Sequence, residues 1–302
     1  MGYSVGILGS GFGLYGYLPA FYGLGIEVHT LERYQDNPIL TRPKLREMAS
    51  SLKLYKAEAD LITSVDYLVL SRRPEDQVSC ISNLVGNKRL KHIFLEKPLT
   101  PSVLTHRSTL ELLKSMNIPF SVGYLFRYTS WVSDIQKLSG LYNDLNIRVL
   151  WKMKKPSGWK LQVDSGGGVF DYYLIHFIPL FIEQYEFSQF SKISDSQEST
   201  ILQINYKSPF TKELTIRIQF SFSESPYFCV SEETITCSNY LYESSSPFSQ
   251  SDIETDERVP TLRQYVMSIM DALRSKKVSD LIGESIAIEE KIIEFREQAL
   301  RL

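Results

Sequence analysis

The sequence contains few cysteines and has no long apolar run that is free of ionisable residues. The three cysteines, Cys80, Cys229 and Cys237, are far apart and form no Cys-x-x-Cys pair, which argues against a disulfide framework and a structural zinc site. The most apolar stretch, residues 170–182, includes two ionisable side chains and is shorter than the roughly 18 apolar residues of a membrane span. We therefore expect no metal site and no membrane-spanning segment.

The sequence also lacks a block of like charges and a basic segment at its N-terminus. A formal net charge of -2 over 302 residues argues against electrostatic binding of nucleic acid as the main task. The opening MGYSVGILGSG becomes glycine-rich too early for a secretory signal peptide, so we expect a cytoplasmic protein. A chain of this length exceeds one typical hydrophobic core, which favours two domains.

The first third of the chain alternates short apolar segments with amphipathic segments. Strands that alternate with helices predict crossover connections and a parallel sheet. The predicted strands are residues 4–8, 26–31, 66–71, 91–96 and 119–124, and the predicted helices are residues 15–22, 44–54, 74–84 and 102–116. We therefore predict an α/β fold that begins with a Rossmann domain, a doubly wound parallel sheet, over residues 1–122.

After about Gly123 the segments become longer and several alternate apolar with polar residues, which is typical of a sheet with one buried face. The predicted strands here are residues 147–153, 200–206, 214–222 and 227–230, the predicted helices are residues 169–183, 262–274 and 284–300, and the Ser-rich residues 188–199 and 243–251 are predicted to be exposed loops. This pattern predicts a C-terminal α+β domain, residues 123–302, with a largely antiparallel open sheet that binds substrate and forms oligomers.

A glycine-rich turn follows the first predicted strand and contains Gly9, Gly11 and Gly13, with Phe12 between the last two. Such a turn lets the backbone approach a pyrophosphate closely, and the helix that follows offers free N–H groups to it. The spacing is not a regular GxGxxG, because Leu14 stands at the last glycine position, and an ordinary tight turn is the alternative interpretation. The position after the first strand of a βαβ-like unit favours dinucleotide binding.

The second predicted strand ends beside Glu32 and Arg33, about 20 residues after the glycine turn. An acid at this position accepts hydrogen bonds from the ribose hydroxyls of NAD, whereas an arginine can hold the 2′-phosphate of NADP. The two residues favour different cofactors, and a solvated charge pair is the third interpretation. We expect NAD or NADP, with NAD slightly favoured.

Two further segments carry residues suited to proton transfer. Lys97, in Glu96-Lys97-Pro98, follows a predicted parallel strand and so faces the crevice where such sheets bind ligands. In the second segment Tyr172 and His176 are four residues apart, which places them on one face of a helix, and histidine titrates near neutral pH. A surface lysine and a core histidine are the alternative interpretations.

Together these segments resemble the glucose-fructose oxidoreductase and inositol dehydrogenase (Gfo/Idh/MocA) family, and the resemblance covers nearly the whole chain. The matching segments are VGILGSGFGLYGYLPAF, VDYLVLSRRPEDQ, FLEKPLT, VGYLFRY and SGGGVFDYYLIH. FLEKPLT contains the family's EKP signature, in which the lysine-proline bond is often cis. Three positions depart from the family pattern: Tyr172 and Pro179 stand where members have aspartates, and Gln77 stands where a histidine is common.

The patterns and the resemblance together assign residues to three roles. The expected catalytic residues are Lys97, His176 and Tyr172. The expected cofactor contacts are Gly9, Gly11, Phe12, Gly13, Glu32, Arg33, Ser71, Arg73, Pro74, Glu96 and Lys97. The expected substrate contacts are Lys97, Arg127, Asp171, Tyr172 and His176.

The resemblance implies hydride transfer between a nicotinamide cofactor and a secondary hydroxyl or ketone of a sugar, inositol or nucleotide sugar. His176 takes the hydroxyl proton and Lys97 stabilises the developing alkoxide. A homo-oligomer, either a dimer or a tetramer, is expected. The alternative is a catalytically impaired member that kept the fold and acts as a nucleotide-binding, sugar-binding or regulatory protein.

Overall fold

The computed structural model of the protein contains two units, each with its own sheet. The structure describes residues 2–182, 186–195, 199–208, 212–233, 238–248, 255–275 and 277–300. The first unit comprises Met1–Leu125, Val163–Gly166 and Gln250–Glu289. The second unit comprises Phe126–Gln162, Gly167–Ser249 and Glu290–Leu302.

The sheet of the first unit is parallel throughout its described strands, and its order is β3-β2-β1-β4-β5-β6. The strands are β1 (Ser4–Leu8), β2 (Glu27–Leu31), β3 (Lys53–Tyr55), β4 (Tyr67–Leu70), β5 (His92–Leu95) and β6 (Phe120–Val122). The central strands β1, β4 and β5 are buried at every residue, which explains why they read as continuous apolar segments. This strand order is that of a dinucleotide-binding Rossmann sheet, and the predicted fold of the first domain is confirmed.

The helices of the chain are numbered in the same way. They are α1 (Leu18–Tyr22), α2 (Pro43–Ser50), α3 (Glu58–Ser64), α4 (Pro74–Ser82), α5 (Val103–Met116), α6 (Ser130–Leu141), α7 (Val259–Arg274) and α8 (Val278–Ala299). None of the described helices is long and apolar enough to cross a membrane. The described residues also contain no cluster of three or more His, Cys, Asp or Glu side chains suited to a metal ion.

A buried polar chain ties α7 to the sheet of the first unit. His92 Nε2 lies 2.8 Å from Ser121 Oγ, which in turn lies 2.6 Å from the Tyr265 hydroxyl. Burial lowers the pKa of His92 to about 3, so the imidazole is neutral at physiological pH. Residues far apart in the sequence therefore complete the first unit.

The sheet of the second unit has the order β12-β11-β7-β10-β9-β8 and is antiparallel except for the β7–β10 pair. Its strands are β7 (Asp144–Met153), β8 (Glu186–Asp195), β9 (Thr200–Lys207), β10 (Glu213–Phe222), β11 (Tyr227–Glu233) and β12 (Ser238–Ser244). Alternate residues are buried along β7, β9 and β10, as the alternation in the sequence predicts. The predicted largely antiparallel sheet is confirmed.

Four element predictions were wrong, and the first three concern the end of a helix and two loops. The helix predicted over residues 44–54 ends at Ser50, because Leu54 belongs to β3 and pairs with Thr30 of β2. The loop predicted at residues 188–199 is strand β8 up to Asp195, and residues 196–198 lie outside the described part of the chain. The loop predicted at residues 243–251 begins inside β12, which runs to Ser244, and residues 249–251 are not described.

The helix predicted over residues 169–183 is present only as two short turns. A π-type turn spans Val169–Tyr173 and a 3-10 turn spans Leu174–Phe177. Gly168, with a φ of 87°, marks the start of the first turn, and Tyr173, with a φ of -109°, lies where the first turn gives way to the second. Tyr172 and His176 therefore do not share a regular α-helical face, and residue 183 lies outside the described residues.

Candidate functional site

Gly9 lets the backbone at the end of β1 approach the residue that follows β4. The Ser71 amide donates to Leu8 O at 2.9 Å, and a Cβ added to Gly9 would lie 2.0 Å from Ser71 O. Gly9 also has a φ of 147°, which side chains other than hydrogen rarely permit. This glycine is required by the fold, and it brings the first turn beside Ser71.

Gly11 differs from Gly9, because a Cβ added there meets no protein atom within 4 Å. Its carbonyl accepts hydrogen bonds from the amides of Leu14 at 2.9 Å and Tyr15 at 3.3 Å, so the chain begins to coil at this point. The helical stretch then continues over residues 12–22. Gly11 is thus exposed and unobstructed at the start of a helical stretch, the position at which a Rossmann fold can hold a pyrophosphate.

Gly13 supplies the close packing that the last glycine of the regular motif provides elsewhere. A Cβ at Gly13 would lie 2.8 Å from Ile7 Cγ2 of β1, whereas Leu14 is a fully buried core residue. The spacing Gly-x-Gly-x-Gly thus retains the helix–strand contact with the glycine one position earlier.

An arginine from a distant loop packs on Phe12. The Arg258 guanidinium lies 4.2 Å from the centre of the Phe12 ring, and its Nη2 lies 3.4 Å from the Tyr15 hydroxyl. Arg258 also pairs with Asp256, with Nε 2.7 Å from Oδ1 and Nη2 2.9 Å from Oδ2. Burial would raise the pKa of Asp256, but the hydrogen bonds from Arg258 outweigh it and hold that pKa below its usual value. Sequence reasoning missed Arg258, because no local pattern links it to the glycine turn.

The end of β2 carries the residues that predict cofactor preference. Glu32 and Arg33 are both exposed at this strand end. The Arg33 side chain bonds the carboxylate of Glu58, and so does that of Arg72, whose Nη2 lies 2.6 Å from Glu58 Oε1. Asn37 Nδ2 donates to Ser10 O at 3.0 Å, so the segment after β2 lies against the glycine turn.

The segment after β4 leads directly into α4. Arg73 is exposed and precedes Pro74, the buried first residue of that helix. One turn later Gln77, which has no exposed surface, holds the loop after β5: its Nε2 donates to Glu96 O at 2.8 Å and to Leu99 O at 3.1 Å, and its Oε1 accepts from the Glu96 amide at 3.0 Å. Sequence reasoning noted Gln77 only as a departure from the family pattern, yet its amide bonds both sides of Lys97.

Lys97 is half-buried, and its peptide bond to Pro98 is cis. The neighbouring Glu96 points inward, and a Cβ added to Gly123 would lie 3.3 Å from its Oε1 and 3.1 Å from the Tyr17 hydroxyl. Burial raises the pKa of Glu96 to about 7, although the positive charge of Lys97 opposes the rise. This loop therefore combines a cation with a carboxyl group that can exchange a proton near neutral pH.

Four of the expected substrate residues belong to the second unit. Arg127 is half-buried, and His176 is buried with its ring stacked on Phe126 at 4.6 Å and 19°. Tyr172 lies with its ring edge-on to Trp159 at 5.4 Å.

Asp171 is held by an arginine of α8. Arg296 Nη2 donates to Asp171 Oδ2 at 3.0 Å, and Arg296 Nε lies 3.0 Å from Oδ1. Arg296 is 2% exposed, so the pair is largely removed from water. The contact joins positions 125 residues apart, which no local pattern in the sequence reveals.

No family model and no curated protein matches the sequence, but solved structures match over the whole chain. The WlbA dehydrogenase from Thermus thermophilus, solved with NAD and UDP-GlcNAcA, has a TM-score of 0.68 at 13% identity, covering 100% of this chain and 95% of that chain. A myo-inositol dehydrogenase from Corynebacterium glutamicum has a TM-score of 0.68 at 13% identity, covering 100% and 97%. The chain has the Gfo/Idh/MocA fold.

The similar structures are not all dehydrogenases. A super-repressor mutant of Gal80p from Saccharomyces cerevisiae has a TM-score of 0.72 at 11% identity, covering 100% of this chain and 97% of that chain. Identities this low establish the fold alone, so the chemistry depends on the residues described above.

Proposed function

We propose that the protein is an oxidoreductase that uses a nicotinamide dinucleotide and acts on a secondary alcohol or the corresponding ketone. The observation that carries the proposal is the open space at Gly11, at the end of the central strand of a Rossmann sheet. The fold shared with dehydrogenases supports it: the WlbA dehydrogenase was solved with NAD, and so was GenD2 from gentamicin A biosynthesis, another similar structure. Backbone amides after Gly11 would bind the pyrophosphate, and Glu32 would accept hydrogen bonds from the ribose.

The chain's own residues would move the proton and stabilise the charge. When bound, a nicotinamide supplies the site that accepts or donates a hydride at C4. In alcohol oxidation the carbinol C–H bond breaks with its electron pair, the hydroxyl proton passes to His176, and a C=O bond forms. Lys97 would donate a hydrogen bond to the same oxygen as negative charge develops there.

A sugar, inositol or nucleotide sugar is the substrate class that we propose. The WlbA structure contains UDP-GlcNAcA and another similar structure is a myo-inositol dehydrogenase, so this fold accommodates polyhydroxylated rings. Arg127 and Asp171 remain proposed substrate contacts, although Asp171 would have to serve both the substrate and Arg296.

Substitution of Lys97 separates catalysis from cofactor binding. Lys97→Ala should lower kcat by roughly a hundredfold or more, because a charge-stabilising donor is lost, and this loss should far exceed any change in NAD affinity or Tm. Lys97→Arg should restore only part of the activity, because its planar guanidinium differs in shape from the ammonium group and would not place a donor at the same point. Near-normal turnover in the alanine variant would mean that Lys97 has no catalytic role.

The identity of the proton acceptor is tested by two substitutions in the second unit. If His176 is the acceptor and Tyr172 only orients it, Tyr172→Phe should lower kcat by roughly ten- to a hundredfold and His176→Ala by more. Both are compared at several pH values. A larger loss in Tyr172→Phe would assign the proton to the phenol instead.

A nucleotide-binding regulatory protein is the second candidate function. Two observations favour it: similar structures include Gal80p, described for Kluyveromyces lactis as a transcriptional regulator, and Tyr172 stands where the family pattern has an aspartate. Such a protein would bind nucleotide with normal affinity, and Lys97→Ala would have no activity to remove.

A further inference from the structure

Two arginines from different strand ends converge on one carboxylate oxygen in the first unit. Arg33 follows β2, Arg72 lies two residues after β4, and Glu58 is the first residue of α3. Both guanidinium groups bond Glu58 Oε1 through an Nη2 atom. One anionic oxygen thus accepts from two cations, and the three residues form a compact Arg-Glu-Arg group.

This Arg-Glu-Arg group lies at the edge of the sheet where a dinucleotide fold holds its adenosine ribose. In a parallel sheet of this order, ligands bind outside the carboxyl ends of the strands, and the ribose hydroxyls lie at the end of the second strand. Glu32 is adjacent to Arg33 in the chain, and Asn37 links the same segment to Ser10 of the glycine turn. The group would therefore lie beside the 2′ position of the adenosine ribose, where NAD and NADP differ.

The members of the group differ in exposure. The side chain of Arg33 is 58% exposed, that of Glu58 is 32% exposed, and that of Arg72 is 16% exposed. Arg72 is further fixed by a contact of 2.8 Å from Nη1 to Cys80 Sγ. Arg33 thus has the freedom to turn toward a ligand if its carboxylate partner is lost.

We propose that Glu58 determines cofactor preference: by holding Arg33 and Arg72 it keeps both cations from a 2′-phosphate and makes the protein select NAD. The proposal rests on the dinucleotide-binding function proposed above. Arginine is well suited to a phosphate because its planar fork donates two hydrogen bonds, so a 2′-phosphate is the ligand that would compete with the carboxylate. The negative charge of Glu58 also repels that phosphate directly.

Calorimetric titration with NAD and with NADP tests the proposal without any enzymatic turnover. The wild type should bind NAD more tightly than NADP. Glu58→Gln keeps the size of the side chain and removes its charge, so the affinity ratio should move toward NADP by about tenfold or more, with NAD affinity nearly constant. Asp60→Asn is the matched control, because it removes an exposed charge from the first turn of the same helix, and it should leave the ratio unchanged.

Arginine variants show whether the released cations cause the shift. Adding Arg33→Gln to Glu58→Gln should remove most of the gain in NADP affinity. Arg33→Gln alone should leave the ratio of NAD affinity to NADP affinity nearly unchanged, because Glu58 already holds this cation in the wild type.

Three results would overturn the proposal, and they are distinguishable from failure of the proposed function. A wild type that prefers NADP, and loses that preference in Arg33→Gln, would mean that Arg33 binds the phosphate despite Glu58. An unchanged ratio in Glu58→Gln, or an equal shift in Asp60→Asn, would exclude a specific role for Glu58. If neither nucleotide binds the wild type, dinucleotide binding itself is wrong and this role of Glu58 fails with it.

Discussion

Gly9 and Gly11 are two residues apart in one turn, and the structure gives them different physical roles. A Cβ at Gly9 would collide with the backbone at Ser71, whereas a Cβ at Gly11 would meet no protein atom. Gly11 also lacks a positive φ, so its conformation is open to other residues. We infer that Gly9 serves the fold and Gly11 serves a ligand.

Valine at the two positions should therefore affect different properties: stability at Gly9 and NAD binding at Gly11. Gly9→Val should destabilise the protein by about 3 kcal/mol or more, because it combines a backbone collision with a disfavoured φ. Gly11→Val should leave Tm nearly unchanged and weaken NAD binding by about a hundredfold or more, because the side chain would occupy the space of the pyrophosphate. Thermal melts and calorimetry measure the two effects. Unchanged NAD affinity in a folded Gly11→Val variant would contradict the ligand role of Gly11.

Glu96 should make stability depend on pH near neutrality. Its pKa is about 7 in the folded protein against a usual 4.5, so the folded state keeps a proton that the unfolded chain releases in this window. Stability is therefore greatest below pH 4.5 for this group and falls as pH rises to about 7, by on the order of 3 kcal/mol. Glu96→Gln stays uncharged and should lack this fall. Urea unfolding of both proteins at pH 5, 6, 7 and 8 measures the difference, and parallel curves would show that Glu96 ionises normally.

The positions of single residues can be predicted where those residues belong to a local sequence pattern. The glycine turn and the Glu96-Lys97-Pro98 loop stand beside their strands in the sequence, so their positions could be predicted. Arg258 on Phe12 and Arg296 on Asp171 could not, because the partners lie more than 100 residues apart and an isolated arginine has no periodic signature.

At the scale of elements, helix α4 positions the loop that follows β5 and contains Lys97. Gln77 of α4 bonds the backbone on both sides of Lys97 through Glu96 and Leu99. The Glu96 amide also donates to Leu70 O at 3.1 Å, but the two carbonyl groups would lose the Gln77 donor, which costs about 1–3 kcal/mol for each. The orientation of Lys97 therefore depends on α4 as well as on its own strand.

Replacement of Gln77 should disturb this loop. Gln77→Leu fills a similar volume but leaves the carbonyl groups of Glu96 and Leu99 without the donor that they share, so the free energy of unfolding should fall by about 2–4 kcal/mol. Gln77→Glu keeps the acceptor for the Glu96 amide and loses both donations to carbonyl oxygens, so it should also destabilise the protein. Ser79→Ala, an exposed change in the same helix, is the control and should have little effect. A stable Gln77→Leu protein with normal kcat would show that the loop around Lys97 keeps its conformation without Gln77.

Buried parallel strands can be predicted well from the sequence, whereas polar strands and some helices cannot. Strands β1, β4 and β5 are apolar throughout because both of their faces are covered, and all three were predicted. Strand β8 is rich in Ser and polar residues, and its pairing with β9 is interrupted by register shifts, so it reads as a loop. Helices α3 and α6 were not predicted, and tertiary packing determines them.

At the scale of the whole molecule, the two sheets and their order follow the Gfo/Idh/MocA fold at identities of 11–16%. A fold shared by dehydrogenases and by Gal80p does not determine which of the two activities this chain has. The decision lies with a few side chains, above all Lys97 and His176, which a dehydrogenase uses and a nucleotide-binding regulator does not need.

The most direct test of the account is hydride transfer itself, measured by the near-ultraviolet absorbance of the reduced nicotinamide. The purified protein is mixed with NAD or NADP and a panel of sugars, inositols and nucleotide sugars, with Lys97→Ala as the matched control. We predict that absorbance rises with at least one member of the panel and does not rise above background in the variant. Binding of the dinucleotide without any rise would contradict the oxidoreductase and favour the regulatory protein.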